Sequence, residues 1–246
     1  MAFANRFVCF LFYVGITFCT FLSPPVLAQT VLQFTARTDS VGAKLGMELL
    51  EEAYGRLGVS IEMIEMPGLR AITTANNGES DGEVIRLERV LPTYPNLRMV
   101  PETLIYIDSV VATKKLNFTI RGWESIRYYI AGTVCGYHSI QKRLKDQKHY
   151  VADSIHSSLK MLDQDRVDLV VMNNLDLIRG LNETGLKGIK MMQPPLTHSP
   201  LHHMLHKKHE ALVPRVNEVL KEMKADGTHQ RIIDAFIAKW QTADDD

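Results

Sequence analysis

"VSIEMIEMPGLRAITTANNGESDGEVIRLERV", residues 59–90, is the stretch that decides the fold. Val59–Met66 reads as a strand, and Pro67 suits the first position of a helix because its ring presets φ and its missing N–H costs nothing there. The helix runs through "GLRAITTAN" and ends at Gly78. "DGEVIRL" then reads as a second strand, with a carboxylate at Glu83 and a guanidinium at Arg86 where a buried strand carries Val, Ile or Leu.

Extending outward, "TVLQFTA" (30–36) is a strand and 40–58 an amphipathic helix, with Leu45, Leu49, Leu50, Ala53 and Leu57 at helical spacing and Gly58 as C-cap. Strand–helix–strand–helix–strand within sixty residues predicts a parallel sheet with right-handed crossovers. From Leu97 two extended segments follow, broken by Pro101. The alternation then resumes over 112–193: "YYIAGTV", "YHSIQKRLK", "HYVA", "SIHSSLKMLDQD", "RVDLVVM", "NLDLIRGLNETG" and "IKMM". "PPLTHSPLHHMLHKKH" returns in extended form, and two helices, "EALVPRVNEVLKEMKADG" and "THQRIIDAFIAKW", close the chain before a three-aspartate tail.

A second α/β unit inserted in a first requires two crossing segments, near 104–112 and 194–206. The expected fold class is therefore α/β: two lobes, each a mostly parallel sheet flanked by helices, with lobe 1 at 29–108 plus 200–246 and lobe 2 at 109–199. In such a body the C-terminal strand ends face a cleft, where ligands bind.

Residues 1–28 have one early charge, Arg6, an apolar run from Phe7 to Leu22, prolines, and Val26-Leu27-Ala28 at the end. This is the pattern of a cleaved signal peptide, a better fit than a retained anchor because the run is short for a membrane span; it predicts an extracytoplasmic product. The whole chain holds 28 basic and 28 acidic side chains. Losing Arg6 alone leaves residues 29–246 at a net −1, which argues against a nucleic-acid partner. Cys9 and Cys19 fall in the leader, so Cys135 alone remains and the body must rely on its core, not on disulfides.

Several stretches resemble the type II periplasmic solute-binding proteins of family 3, the amino-acid-binding-like group. They are "LEEAYGRLGVSIEM", "ANNGESDGEVIR", "WESIRYYIAGTVCGY", "LKMLDQDRVDLVV" and "VLKEMKADGTHQRII", in family order from about residue 30 to 240. The chain departs from the amino-acid-binding pattern after the Asp-Gly strand: "IRLERVLPTYPNL" has neither T-x-x-R nor F-S-x-P-Y, and is similar to a divergent subgroup with D-G-E-x-x-R and Y-P-N-L. The resemblance implies a monomer that closes over a small polar or carboxylate-bearing solute and serves an inner-membrane ABC permease or a sensor. It implies neither cofactor nor catalysis. Two alternatives stand beside it: an extracytoplasmic, dehydratase-like enzyme with Glu83 as acid, and the input lobe of a membrane receptor.

Arg86, at the cleft-facing end of its strand, is the leading ligand residue, since a guanidinium offers a planar donor fork to a carboxylate; Arg89 competes for the role. Strand alternation places Glu83 on the opposite face, where its expected partner is Arg70 in the first turn of the preceding helix. Arg70 and Glu83 remain ligand candidates, with Tyr106 in the first crossing segment as a stacking residue. In lobe 2 the candidates are Tyr137 and His138 in "CGYHS", where backbone N–H groups also suit an anion, and Asn174, beside Asn173, after "VDLVVM". Trp123 is expected to anchor the second lobe and Cys135 to be a small buried residue. His198, His202, His203, His206 and His209 suggest a metal only if helical. As a proline-punctuated strand the segment sets His202 and His206 about 13 Å apart, too far to share an ion, so no metal site is expected.

Overall fold

The computed structural model describes residues 31–241; the expected leader at 1–28 and the aspartate tail lie outside them. In chain order the elements are β1 (Leu32–Arg37), α1 (Val41–Arg56), β2 (Ile61–Met66), α2 (Gly68–Asn77), β3 (Gly82–Arg86), β4 (Leu97–Met99), β5 (Ile105–Thr113) and β6 (Ala131–Val134). They continue with α3 (His138–Leu144), β7 (His149–Ala152), α4 (Ile155–Asp163), β8 (Leu169–Asn173), α5 (Asn174–Thr184), β9 (Lys190–Met191), β10 (Thr197–His206), α6 (Val213–Ala225) and α7 (Thr228–Gln241).

Local chemistry sets several of these bounds. The Ser40 side chain caps α1 by accepting the Ala43 N–H at 3.2 Å. Gly78, at φ 79°, closes α2 in the left-handed conformation that glycine adopts without strain. Pro67 sits one place earlier than expected, as the N-cap of α2. α6 begins at Val213, later than the sequence pattern suggests, because Pro214 fixes its first turn and residues 207–212 form a separate 3-10 segment.

The strands run in the order β2-β1-β3-β10-β5-β8-β6-β7, with β4 on β10 and β9 on β5. β1 pairs in parallel with β2 and β3, and β6 in parallel with β7 and β8, as strand–helix alternation requires. Between these blocks lie the two antiparallel strands β5 and β10. β10 pairs with β3 through its C-terminal half and with β5 through its N-terminal half.

Two hydrophobic cores flank this junction. The first gathers Phe34, Leu49, Leu50, Tyr54, Val84 and Leu220; the second gathers Ile126, Leu144, Leu159, Leu169, Met172 and Leu177. β5 contributes Ile105 to the first and Val110, Val111 and Ala112 to the second, so it crosses from one lobe to the other. β10 holds Leu201 and Leu205 in the first core, while Leu196, just before it, sits in the second. The fold is two-lobed α/β, with two crossing segments. Among the described residues no helix is long and apolar enough to cross a membrane.

Candidate functional site

A cleft of about 370 Å³ opens where the strand ends of the two lobes meet. Its lobe 1 wall comes from Arg37 at the end of β1 and from Glu83, Arg86 and Arg89 at and after the end of β3. Across it stand Trp123, Tyr137, His138, Ser139, Arg143 and Asn173. The floor is the crossing pair itself: Ile107 and Ser109 of β5 beside Thr197 and Ser199 of β10, with Thr197 opposite Ser109 and Ser199 opposite Ile107.

Glu83 and Arg86 correct the strand reading. They share one face and form an ion pair, with Arg86 Nε to Glu83 Oε2 and Nη2 to Oε1 each at 2.7 Å. The cause is a register break: Glu83 lies opposite Met204 and Arg86 opposite His202, so three steps along β3 match two along β10. Such a bulge adds one residue and turns an i, i+3 pair onto one side. Arg70, the expected partner of Glu83, is instead exposed on α2 and does not line the cleft. Arg86 Nη2 also donates to the Gly68 carbonyl. The guanidinium is thus held from two sides, by Glu83 and by the Gly68 carbonyl.

Glu83 is 1% exposed, and burial outweighs Arg86 in raising its pKa to about 7. A carboxyl whose folded pKa is raised favours folding at low pH and loses that contribution as pH climbs from the unfolded value near 4.5 to about 7. Relative to Glu83→Gln, the native chain should therefore lose roughly 3 kcal/mol of stability over that window. Paired urea titrations at several pH values measure the difference; parallel curves would contradict it.

Behind Glu83 lies a buried polar pair that steadies this strand. His203 Nδ1 approaches the Glu83 carbonyl at 2.9 Å and Nε2 the Tyr54 hydroxyl at 3.0 Å. Complete burial lowers the His203 pKa to about 4, so the ring is neutral at pH 7 and donates to the carbonyl.

Polar contacts bridge the lobes. Arg89 donates to the Ser139 hydroxyl on α3 at 2.6 Å. Arg179 on α5 grips Asp39, in the β1–α1 loop, through both terminal nitrogens at 2.5 and 3.1 Å, which holds the Asp39 carboxyl below its ordinary pKa. Tyr137 is 8% exposed, with its hydroxyl donating to Asp176 and the Arg37 guanidinium 5.9 Å from its ring centre. It forms a wall between the cleft and a second cavity, also about 370 Å³, that contains Asp39, Asp176 and Arg179. Burial raises the Asp176 pKa, and its Oδ1 has no hydrogen-bond partner among the described residues.

Of the sequence candidates, Arg86, Arg89, Glu83, Tyr137 and His138 meet at the cleft, together with Asn173. Tyr106 and Asn174 do not. Tyr106 is one residue out of phase with Ile107 and so faces away from the floor. It is 50% exposed and stacks on His198 at 4.2 Å, while His198 Nδ1 meets Asp108 at 2.6 Å. Asn174 accepts the Asp108 N–H at 3.2 Å, a contact that fastens α5 to β5. Trp123 packs on the second core and also lines the cleft, with Arg143 6.0 Å from its ring. Cys135, expected to be buried, is exposed because it lies just past the end of β6, before Gly136 at φ 88°.

Sequence reasoning missed Arg37, Arg143, Ser109, Thr197 and Ser199. Arg37 ends β1 as Arg86 ends β3, and alternation along β5 and β10 marks the three hydroxyls. Among the described residues no group of three or more His, Cys, Asp and Glu side chains is placed to hold a metal ion.

No family model matches the chain. An uncharacterized protein of Shewanella oneidensis is 24% identical over 187 residues, 73% of this chain and 70% of its own length. Among solved structures, the GluR0 ligand-binding core in complex with L-glutamate superposes with a TM-score of 0.66 at 12% identity, over 87% of this chain and 99% of that one. An ancestral arginine-binding protein bound to glutamine gives 0.63 at 20%, over 85% and 97%. The second substrate-binding domain of a putative amino acid ABC transporter from Streptococcus pneumoniae gives 0.60 at 16%, over 84% and 98%. These likenesses span nearly the whole of each neighbour, and the fold of this chain is that of the two-lobed, type II periplasmic binding proteins.

Proposed function

We propose that the protein is an extracytoplasmic solute-binding protein that closes its lobes over a small carboxylate-bearing organic solute. The observation that carries this reading is Arg86, locked by Glu83 and Gly68 at the end of β3 and facing lobe 2 across a cleft of about 370 Å³. A preset guanidinium binds a carboxylate with little loss of its own freedom. Closure then depends on contacts that both walls make with the ligand, in addition to the direct Arg89–Ser139 bond across the gap.

The lobes are 29–108 with 200–246, and 109–199, hinged at β5 and β10. Arg86, Arg89, Tyr137 and His138 are the proposed ligand residues, joined by Arg37 and Asn173. Residues 1–28 direct export to the periplasm, where the monomeric binding protein delivers its solute to an inner-membrane ABC permease or presents it to a sensor. The ABC transporter domain among its structural neighbours supports the first partner. A thermal-shift screen of small metabolites, followed by calorimetry on residues 29–246, tests the reading. A stable 1:1 complex with the solute recovered unchanged is expected; steady conversion of the solute would favour an enzyme on this scaffold.

A further inference from the structure

The charges that line the cleft are lopsided. Among the described residues four of its side chains are arginines, Arg37, Arg86, Arg89 and Arg143, its only carboxylate is Glu83, and neither lysine nor aspartate lines it. Glu83 is buried and already takes two bonds from Arg86, so it has little capacity left for a ligand cation. The other three guanidiniums have no carboxylate within ion-pair distance among the described residues: Arg37 and Arg143 lie over aromatic rings, and Arg89 reaches a hydroxyl. At the end of β8, the lobe 2 residue that lines the cleft is the neutral Asn173. Asp176 belongs to the second cavity, behind Tyr137, whose hydroxyl is bonded to it; Arg37 lines both cavities, and its charge also acts on Asp39 and Asp176, beyond ion-pair distance.

Several unpaired guanidiniums around one cavity repel one another and focus a positive potential into it, which an anion relieves and a cation worsens. A zwitterionic α-amino acid would bring an ammonium group into this field with no free carboxylate to receive it. Resting on the solute-binding reading above, we propose that the cleft is specific for a di- or tricarboxylate that lacks an ammonium group. One carboxylate meets Arg86 and Arg37 on the lobe 1 wall and a second meets Arg143 on the lobe 2 wall, so charge on both lobes is neutralised only when they close.

Glutarate and L-glutamate make a matched pair, because they share a carbon skeleton and differ by the ammonium group. Calorimetry on residues 29–246 at pH 7.5 should show glutarate or tricarballylate binding at least tenfold more tightly than L-glutamate. Arg37→Gln and Arg143→Gln should each weaken that binding at least tenfold, with thermal midpoints reported for both so that a folding defect in one leaves the other informative. L-glutamate binding as tightly as glutarate, or glutarate binding indifferent to both substitutions, overturns the proposal. If neither polycarboxylate binds but another solute from the screen does, the proposal fails and the solute-binding reading survives. If nothing in the library binds, both fall.

Discussion

Gly82→Ala is expected to destabilise the protein by about 3 kcal/mol or more, since overpacking against atoms that cannot rotate away sits at the high end of its usual range. A Cβ at this position would lie 2.1 Å from the Met204 carbonyl oxygen and 3.0 Å from the Leu205 Cα, both backbone atoms of β10. Relief requires β3 and β10 to separate where Gly82 pairs with Leu205, and that ladder also sets the register of Glu83 and Arg86. For a chain of this size the thermal midpoint should fall by roughly 6–12 °C. Gly55→Ala is the control. Gly55 lies within α1 with nothing within 4 Å of its added Cβ, so that substitution should stabilise by about 0.5–1 kcal/mol. Equal midpoints for the two variants would show that the β3–β10 contact is looser than described.

Arg86→Ala should lower both stability and affinity, and a second substitution separates the two losses. Removing the guanidinium leaves Glu83 buried without its partner, which costs on the order of 3–5 kcal/mol when the carboxylate is charged. Arg86 is also what holds the Glu83 pKa down to about 7, so in the variant the carboxyl titrates higher still: at pH 5 it is neutral in both proteins and the loss is small, and the loss grows as pH rises above about 7. Glu83→Gln with Arg86→Ala removes the orphaned charge and should recover most of the stability. It cannot recover binding. Affinity of the double variant for a carboxylate solute should remain more than tenfold down, on the order of 2–4 kcal/mol for the lost charged hydrogen-bond partner. A stable double variant with native affinity would remove Arg86 from the ligand site and leave it a structural partner of Glu83.

The fold was legible from periodicity because each strand–helix unit carries its own local signals. The apolar stripe of α1, the Gly78 stop and the run "VDLVV" announce their elements without reference to distant residues. The two crossing segments were readable from the way the alternation pauses at Leu97 and again after Met192. The cleft lining was legible only where it sits at strand ends: Arg86 and Tyr137 follow from the rule that such ends face the cleft, while the candidate Asn174 falls one residue past Asn173, which lines it. What failed was register. The bulge that joins Glu83 to Arg86 arises from how β3 meets β10, more than a hundred residues later, and no local pattern in "DGEVIRL" reveals it. Tyr106, the candidate on β5, lies outside the cleft for a related reason. Which alternate set faces the cleft is fixed by pairing with β10, and the pairing selects Ile107 and Ser109.

The central claim is that solute binds between the lobes, against the Glu83-locked Arg86. A crystal structure of residues 29–246 with the tightest solute from the screen tests it most directly. The account predicts a carboxylate within hydrogen-bonding distance of Arg86, enclosed by Arg37, Tyr137 and Asn173, with β5 and β10 beneath it. Solute bound outside this cleft, or inside it without contact to Arg86, would contradict the account.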